Sequence, residues 1–360
     1  MVLKIENTHE FYRRIIETLK SGKVVALPTD TVYGFAVDGT HDEAVQRLAE
    51  IKVRREKPFT FFMPKKDFNK YARVTKKRII EYFVPGPITV ILKKRTNIAL
   101  PFIEDKIGIR IPQTDFIIKL LSMYDNPLAV TSANVSGQEP VNSPLEIAEQ
   151  FTDVDTVIDG GILSSKPSTV LDLTETPPKL TRKGTIPILE IEKVYGKTLV
   201  LDDSLKFNVL FLCAGNTCRS PMAEGIFKTF VSSEHCEVKS AGILPMWGLP
   251  PAPFAVEVVN EYGGSIAQHL TQSITNELID WADLILVMEF KHYNTVLEMS
   301  PRAAVKTFLM KEYKRKTKYN EIADPVGKDM QAYRQAARAM YPSLKFVARE
   351  IKKRFKEAKE

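Results

Sequence analysis

The chain is poor in cysteine and histidine and contains no long apolar run. Three cysteines in 360 residues, a small and odd number, do not make a disulfide framework and point to a reduced compartment, the cytoplasm. The five histidines, at positions 9, 41, 235, 269 and 292, match no HExxH or Cys/His zinc spacing, so no metal site is expected. No segment approaches the ~18 apolar residues of a membrane span. The N-terminal MVLKIENTHEFYRRII has no apolar signal region, so secretion is not expected either. A polybasic tail is also lacking. Up to residue 206 there are 30 Lys and Arg against 27 Asp and Glu, and beyond it 21 against 17. The net charge of +7 is thus shared, compatible with nucleotides, phosphates or RNA as partners but not diagnostic of them.

What is present is length enough for two cores. The proline-bearing turn TETPPKLTRKG and the stretch after it look like the end of one unit and a link to the next. We place the first domain at 1–195, a linker at 196–206 and the second domain at 207–360. Gly196-Lys197-Thr198 in the linker is not a nucleotide loop, because Ile191 stands where its first glycine would be. In the first part, apolar runs such as KVVAL, PITVILKK, IGIRI and PLAVT alternate with helical stretches, which predicts a mixed α/β domain. In the second, NVLFL and DLILVM with helices near 221–231, 252–262 and 275–280, and a long final helix, predict a doubly wound parallel sheet.

The segment NVLFLCAGNTCRSPMAEGIF holds the densest chemistry. Cys213 falls at the carboxyl end of a strand, where open α/β sheets bind ligands. Ser220-Pro221 reads as a helix cap and first turn, and Gly215 as the residue that lets the loop turn. Backbone N–H groups at a helix start can then bind an anion. Beside them Cys213 is expected to ionise readily and attack phosphorus, while Arg219 holds two phosphate oxygens in its planar fork. Asp324 in IADPVGKD can protonate the leaving group and later activate water. A bare C-x5-R also arises by chance from buried cysteines and a surface arginine; the flanking strand and helix favour catalysis.

CAGNTCRSPMAE, SAGI (240–243), ADLILVM (282–288) and ADPVGKD (323–329) together resemble the low-molecular-weight protein tyrosine phosphatase family over 207–360. The resemblance implies a four-stranded parallel sheet, Cys213 as nucleophile, Arg219 as phosphate clamp, Asp324 as general acid, Ser220 as thiolate stabiliser, Asn216 as loop brace, and no cofactor. Tyrosine-specific members carry a bulky aliphatic residue where Thr217 stands and aromatics after the Asp-Pro. The GNTCRS form is similar to the protein arginine phosphatase branch, although that branch often has an aromatic where this chain has Val326. A phosphoprotein is the expected substrate, phosphoarginine ahead of phosphotyrosine. Cys218 is either a packed thiol or a partner that guards Cys213 in a reversible disulfide. With Cys236 as the sole later cysteine, arsenate reduction is disfavoured.

In the first half, hydroxyls and cations cluster beside strand ends: PTDTVYG (28–34), IKVRREKP (51–58), IGIRIP (107–112), TSANVSG (131–137), PSTVLDL (167–173) and LTRKG (180–184). Singly each is an ordinary capped turn; together they can build a polar pocket. This series resembles the YrdC family of threonylcarbamoyl-adenylate synthases over roughly 5–190. The resemblance implies a concave polar groove taking ATP, L-threonine and bicarbonate, with Mg2+ on the phosphates and a product destined for tRNA or a tRNA-modification complex. Lys52, Arg54 and Arg182 would neutralise triphosphate, with Ser132, Asn134 and Ser136 as further ATP contacts. Arg110 would take the threonine carboxylate, with Thr31, Thr131 and Ser168 reading the rest of that substrate. The crowded VRRE leaves Arg54 and Arg55 as alternatives facing ATP. A catalytically idle RNA- or nucleotide-binding module is the competing reading for this half.

Overall fold

The computed structural model describes residues 1–52, 59–313 and 320–355. It forms two compact units, one comprising Met1–Ile186 with Val194–Lys197, the other Pro187–Lys193 with Thr198–Glu360. Both are α/β, as the alternation of apolar runs requires.

The first unit is built on one large mixed sheet. Its strands are β1 (Val2–Lys4), β2 (Val25–Leu27), β3 (Gly34–Asp38), β4 (Thr60–Phe62), β5 (Ala72–Arg73), β6 (Ile88–Lys94), β7 (Lys106–Arg110), β8 (Leu128–Ser132), β9 (Thr156–Asp159), β10 (Thr169–Asp172) and β11 (Lys179–Arg182). Across the sheet the order is β1-β9-β2-β3-β8-β4-β7-β6-β10-β11, with β5 beside β6. β2 and β3 are buried along their whole length, which is why VAL and GFAV show no alternation. Helices accompany the sheet, and several begin at side-chain caps. Thr8 accepts from the Phe11 N–H ahead of His9–Lys20, and Thr114 from the Ile117 N–H ahead of Asp115–Met123. Both bury an apolar stripe, Phe11, Tyr12, Ile15 and Leu19 in the first case. The register sets Gly34 opposite Ser132, and Phe62 opposite Arg110, so polar residues from distant motifs meet at neighbouring strand ends. Gly34 leaves room for the close approach of β8. A Cβ would lie 2.9 Å from Val130 and 3.1 Å from the Thr131 carbonyl.

In the second unit, after the short β12 (Val200–Leu201), β13 (Phe207–Cys213), β14 (Cys236–Gly242), β15 (Leu284–Val287) and β16 (Thr307–Leu309) form a four-stranded sheet. Its order is β14-β13-β15-β16 and all pairs are parallel. This is the doubly wound sheet expected from the sequence. Of its strands β14 and β16 carry weaker apolar patterns than β13 and β15 and were not singled out there. Helices Arg219–Lys228, Pro253–Glu261, Asn276–Trp281 and Met330–Arg354 lie close to the expected spans. Glu192 and Arg354 form a buried pair, with Arg354 Nη2 donating to Glu192 at 2.7 Å beside the Phe207 ring. That pair fastens the segment Pro187–Lys193 to the final helix of its unit.

Candidate active sites

In the first unit the strand ends open onto a cleft of about 440 Å³. Lys52, Arg110, Thr131, Ser132, Asn134, Ser136, Ser168 and Arg182 all line it. Three strands and the segments around Lys52, Asn134 and Ser168 therefore bring eight of the sequence-chosen side chains together. Arg54 falls in 53–58, outside the described residues, and so does Arg55. Thr31 is buried behind the cleft, where its hydroxyl accepts from Arg110 Nη2 at 2.7 Å. The same guanidinium is paired with Asp30, while its buried Nε has no hydrogen-bond partner. Burial pulls the Arg110 pKa down and Asp30 opposes it.

Lys52 anchors the opposite wall. Its ammonium donates to the Ser132 carbonyl at 2.8 Å and to the carbonyl and side-chain oxygens of Asn134. Asn134 in turn accepts from Ser132 Oγ at 2.6 Å and donates to the Val135 carbonyl at 2.9 Å. Arg182 donates to both the carbonyl and the hydroxyl of Ser168 at 2.9 Å, and Ser168 meets Thr89 at 3.0 Å. The polar groups are thus held by one another before any ligand enters, which limits the ordering cost of binding. Sequence reasoning overlooked Thr89, whose apolar strand context hides it, and Lys106, which lines the cleft and pairs with Asp172 at 2.7 Å.

In the second unit β13 delivers Cys213 to the start of a loop that ends at helix Arg219–Lys228. Two local expectations require correction. Ser220 is not the helix cap, because the helix begins at Arg219 after Cys218. The Ser220 hydroxyl instead sits 3.0 Å from Cys213 Sγ and accepts from Asn216 Nδ2 at 2.9 Å. The left-handed residue of the loop is Asn216, at φ 55°, rather than Gly215. Asparagine tolerates that conformation, and here its amide is fully engaged. It donates also to Ser240 Oγ at 2.9 Å and accepts from the Gln272 N–H at 3.0 Å. Gly242 on β14 lets the loop come close. A Cβ there would meet the Ala214 carbonyl at 2.6 Å.

Arg219 is almost wholly buried and heavily committed. Nη1 donates to Glu289 at 2.5 Å and to the Ile322 carbonyl at 2.9 Å, and Nη2 pairs with Asp324. Its buried Nε has no partner. The expectation of a readily ionised thiol is also corrected. Burial pushes the Cys213 thiol up, against the opposing pull of Ser220, Arg219 and the loop N–H groups. The physical reason is desolvation: the thiol is buried, and removing it from water disfavours the charged thiolate by more than the hydrogen bonds and the Arg219 charge favour it. Cys218 is buried too, with Sγ 3.3 Å from the Tyr333 hydroxyl and 3.5 Å from that of Thr217. Thr217 is half-buried and Val326 is exposed. Glu289, His292 and Tyr333 escaped the sequence reading. No local motif marks them, and they lie 70 to 115 residues from the loop groups they serve.

The fold and these two sites define an α/β protein with a polar, cationic cleft in one unit and a loop joining a buried cysteine to a buried arginine at a helix start in the other. Residues 17–184 match the family model Sua5/yciO/yrdC, described as telomere recombination. Residues 208–357 match the low molecular weight phosphotyrosine protein phosphatase model. A Methanocaldococcus jannaschii protein with the provisional name threonylcarbamoyl-AMP synthase is 40% identical over 204 residues, covering 53% of this chain and 97% of the relative. A Bacillus subtilis protein-arginine-phosphatase is 33% identical over 148 residues, 41% of this chain and 97% of the relative. The solved Pyrococcus abyssi Sua5 complexed with L-threonine shares the fold at 22% identity and a TM-score of 0.53, over 86% of this chain and 99% of that one. The chain therefore belongs to both families, joining a Sua5/YrdC domain to a low-molecular-weight phosphatase domain.

Proposed function

We propose that the protein is a bifunctional enzyme, a threonylcarbamoyl-AMP synthase joined to a phosphatase for phosphoarginine on proteins. For the first activity the supporting observation is the convergence of Lys52, Arg110 and Arg182 with five hydroxyl or amide side chains in one cleft. Lys52 and Arg182 meet the ATP phosphates, Ser132, Asn134 and Ser136 hold the nucleotide, and the spare Arg110 Nε takes the threonine carboxylate. Thr131 and Ser168 fix the remaining amine and hydroxyl, and Thr31, behind the cleft, positions Arg110. The threonine amine combines with bicarbonate-derived CO2, losing a proton. The carbamate oxygen then attacks the α-phosphorus as pyrophosphate leaves. Catalysis is positioning and charge stabilisation, with no covalent enzyme intermediate. Among the described residues no cluster of three His, Cys, Asp or Glu side chains could hold a metal ion, and the cleft is cationic. A resident magnesium does not fit this residue set, so the ion belongs to the substrate as MgATP, and no step here runs through it. Its downstream acceptor, on this reading, is an RNA adenosine.

For the phosphatase the supporting observation is the joint placement of Cys213, Ser220, Arg219 and Asp324. The Cys213 thiolate attacks phosphorus, forming the S–P bond as the P–N bond to the guanidinium breaks. Arg219 turns its fork, with the unpartnered Nε, onto the phosphoryl oxygens, and the departing arginine takes a proton from Asp324. Water, deprotonated by the same carboxylate, then releases phosphate. Half-buried Thr217 is the residue that suits a polar guanidinium. A reduced cytosolic setting fits the three free cysteines, and among the described residues no helix is long and apolar enough to cross a membrane.

A phosphoamino-acid panel tests the phosphatase. Wild type should prefer phosphoarginine and Cys213→Ser should be inert; equal turnover of phosphotyrosine, unchanged in Thr217→Ile, would overturn the substrate assignment. For the synthase, pyrophosphate release must require both threonine and bicarbonate. Without that dependence the first unit is a binding module.

A further inference from the structure

The phosphatase unit carries a second concavity that neither proposed reaction uses. It is a groove of about 780 Å³ between the end of helix Arg219–Lys228 and the final helix. Half-buried Phe230, Tyr341 and Phe346 lie in its lining, and exposed Lys345, Arg349 and Lys352 stand over them. No carboxylate lines it among the described residues. The cations recur at i, i+4 and i+7 of one helix face, a row about 10 Å long. Cation and ring are paired along the row. Lys345 Nζ is 4.7 Å from the Tyr341 centroid, and the Arg349 guanidinium 5.2 Å from that of Phe346. Glu350, the nearest acid to Arg349 at 3.7 Å, is itself drawn to Lys353 at 2.8 Å.

We propose that this groove docks a single-stranded segment of RNA. A row of cations suits successive phosphates better than one anion, and aromatic rings beside two of the three cations suit unstacked bases. An acidic peptide would satisfy the charges but would leave the aromatic lining without a role. The choice of RNA rests on the synthase reading above, whose product is destined for an adenosine. The groove would hold the acceptor RNA on the same chain that makes the activated group, raising its local concentration.

The test uses the full chain and a fluorescein-labelled oligouridylate of about 20 nucleotides, followed by anisotropy. Wild type should bind, with affinity falling steeply between about 50 and about 200 mM salt. The triple variant Lys345→Glu, Arg349→Glu, Lys352→Glu should lose at least about tenfold in affinity, and its salt slope should fall by about two. Its hydrolysis of a simple aryl phosphate should stay at the wild-type level. If the triple variant does not fold, the exposed single changes Lys345→Gln and Lys352→Gln should each weaken binding about threefold. Wild-type affinity in the charge-reversed or single variants would overturn the proposal. So would polyglutamate that competes as well as unlabelled oligouridylate at equal charge, which would mark an acidic protein partner. Pyrophosphate release is measured separately, so a failed synthase reading and a failed groove give different results.

Discussion

Glu289→Gln should make Cys213 a stronger acid. In the folded chain Glu289 sits 2.5 Å from Arg219 Nη1, and Asp324 holds Nη2, so the guanidinium charge is screened by two carboxylates before it reaches the thiol. Lys291 lies 2.9 Å from the other Glu289 oxygen and helps keep that carboxyl ionised. Glutamine keeps an acceptor for Arg219 but removes one negative charge, and the thiolate gains accordingly. A single nearby charge shifts a pKa by about one unit, which is about tenfold in thiolate fraction below the pKa. A less basic thiolate is also a weaker nucleophile, with a Brønsted slope of about 0.4–0.5, so the net gain in alkylation rate near neutrality is about threefold. The assay is the pH dependence of iodoacetamide labelling, with the labelled cysteine located by mass spectrometry and Cys213→Ser as blank. The profile should move to lower pH by about one unit. A variant profile lying on that of wild type would refute the idea that these carboxylates set the nucleophile's acidity.

Other substitutions probe the remaining interactions. Arg110→Lys cannot span Asp30 and Thr31 while keeping a spare donor, so the threonine KM in pyrophosphate release should rise about tenfold with the ATP KM little changed. Arg354→Met strands Glu192 in the interior and should cost the phosphatase unit about 3 kcal/mol in urea unfolding, part of it recovered by adding Glu192→Leu. Burial pushes His292 down to about 4, against an ordinary value of 6.5. The imidazole is therefore neutral when folded, whereas the unfolded chain takes up a proton at about 6.5. Its contribution is present above that pH and is lost as pH falls from about 6.5 to about 4, on the order of 3 kcal/mol for this buried ring. His292→Gln should lack this segment of the pH–stability curve.

Much of the site was legible because its parts are short and local. A strand, a seven-residue loop and a helix start place Cys213 and Arg219 together whatever the rest of the chain does. The strings around Lys52, Arg110, Asn134 and Ser168 announce polar chemistry through hydroxyls and cations at the ends of apolar runs. Local reading faltered where one residue could serve two purposes. Ser-Pro reads as a helix cap, yet the Ser220 hydroxyl is taken by Cys213 and Asn216. Glycine is the usual left-handed residue, yet Asn216 holds that place because Ser240 and Gln272 satisfy its amide.

The amino-acid sequence by itself determined that there are two α/β units, which loop carries Cys213 and Arg219, and which polar strings lie at the ends of apolar runs, since each follows from the spacing of residues within one element and its neighbours. The tertiary structure alone decided the electrostatics. That Arg219 is held by Glu289 and Asp324, Arg110 by Asp30, and Cys218 by Tyr333 depends on partners 70, 105, 80 and 115 residues away. Such pairings arise from the register of the sheets and the packing of the final helix. The acidity of a buried thiol follows from its burial and from the hydrogen bonds and charges the folded chain places around it, and no local pattern encodes either.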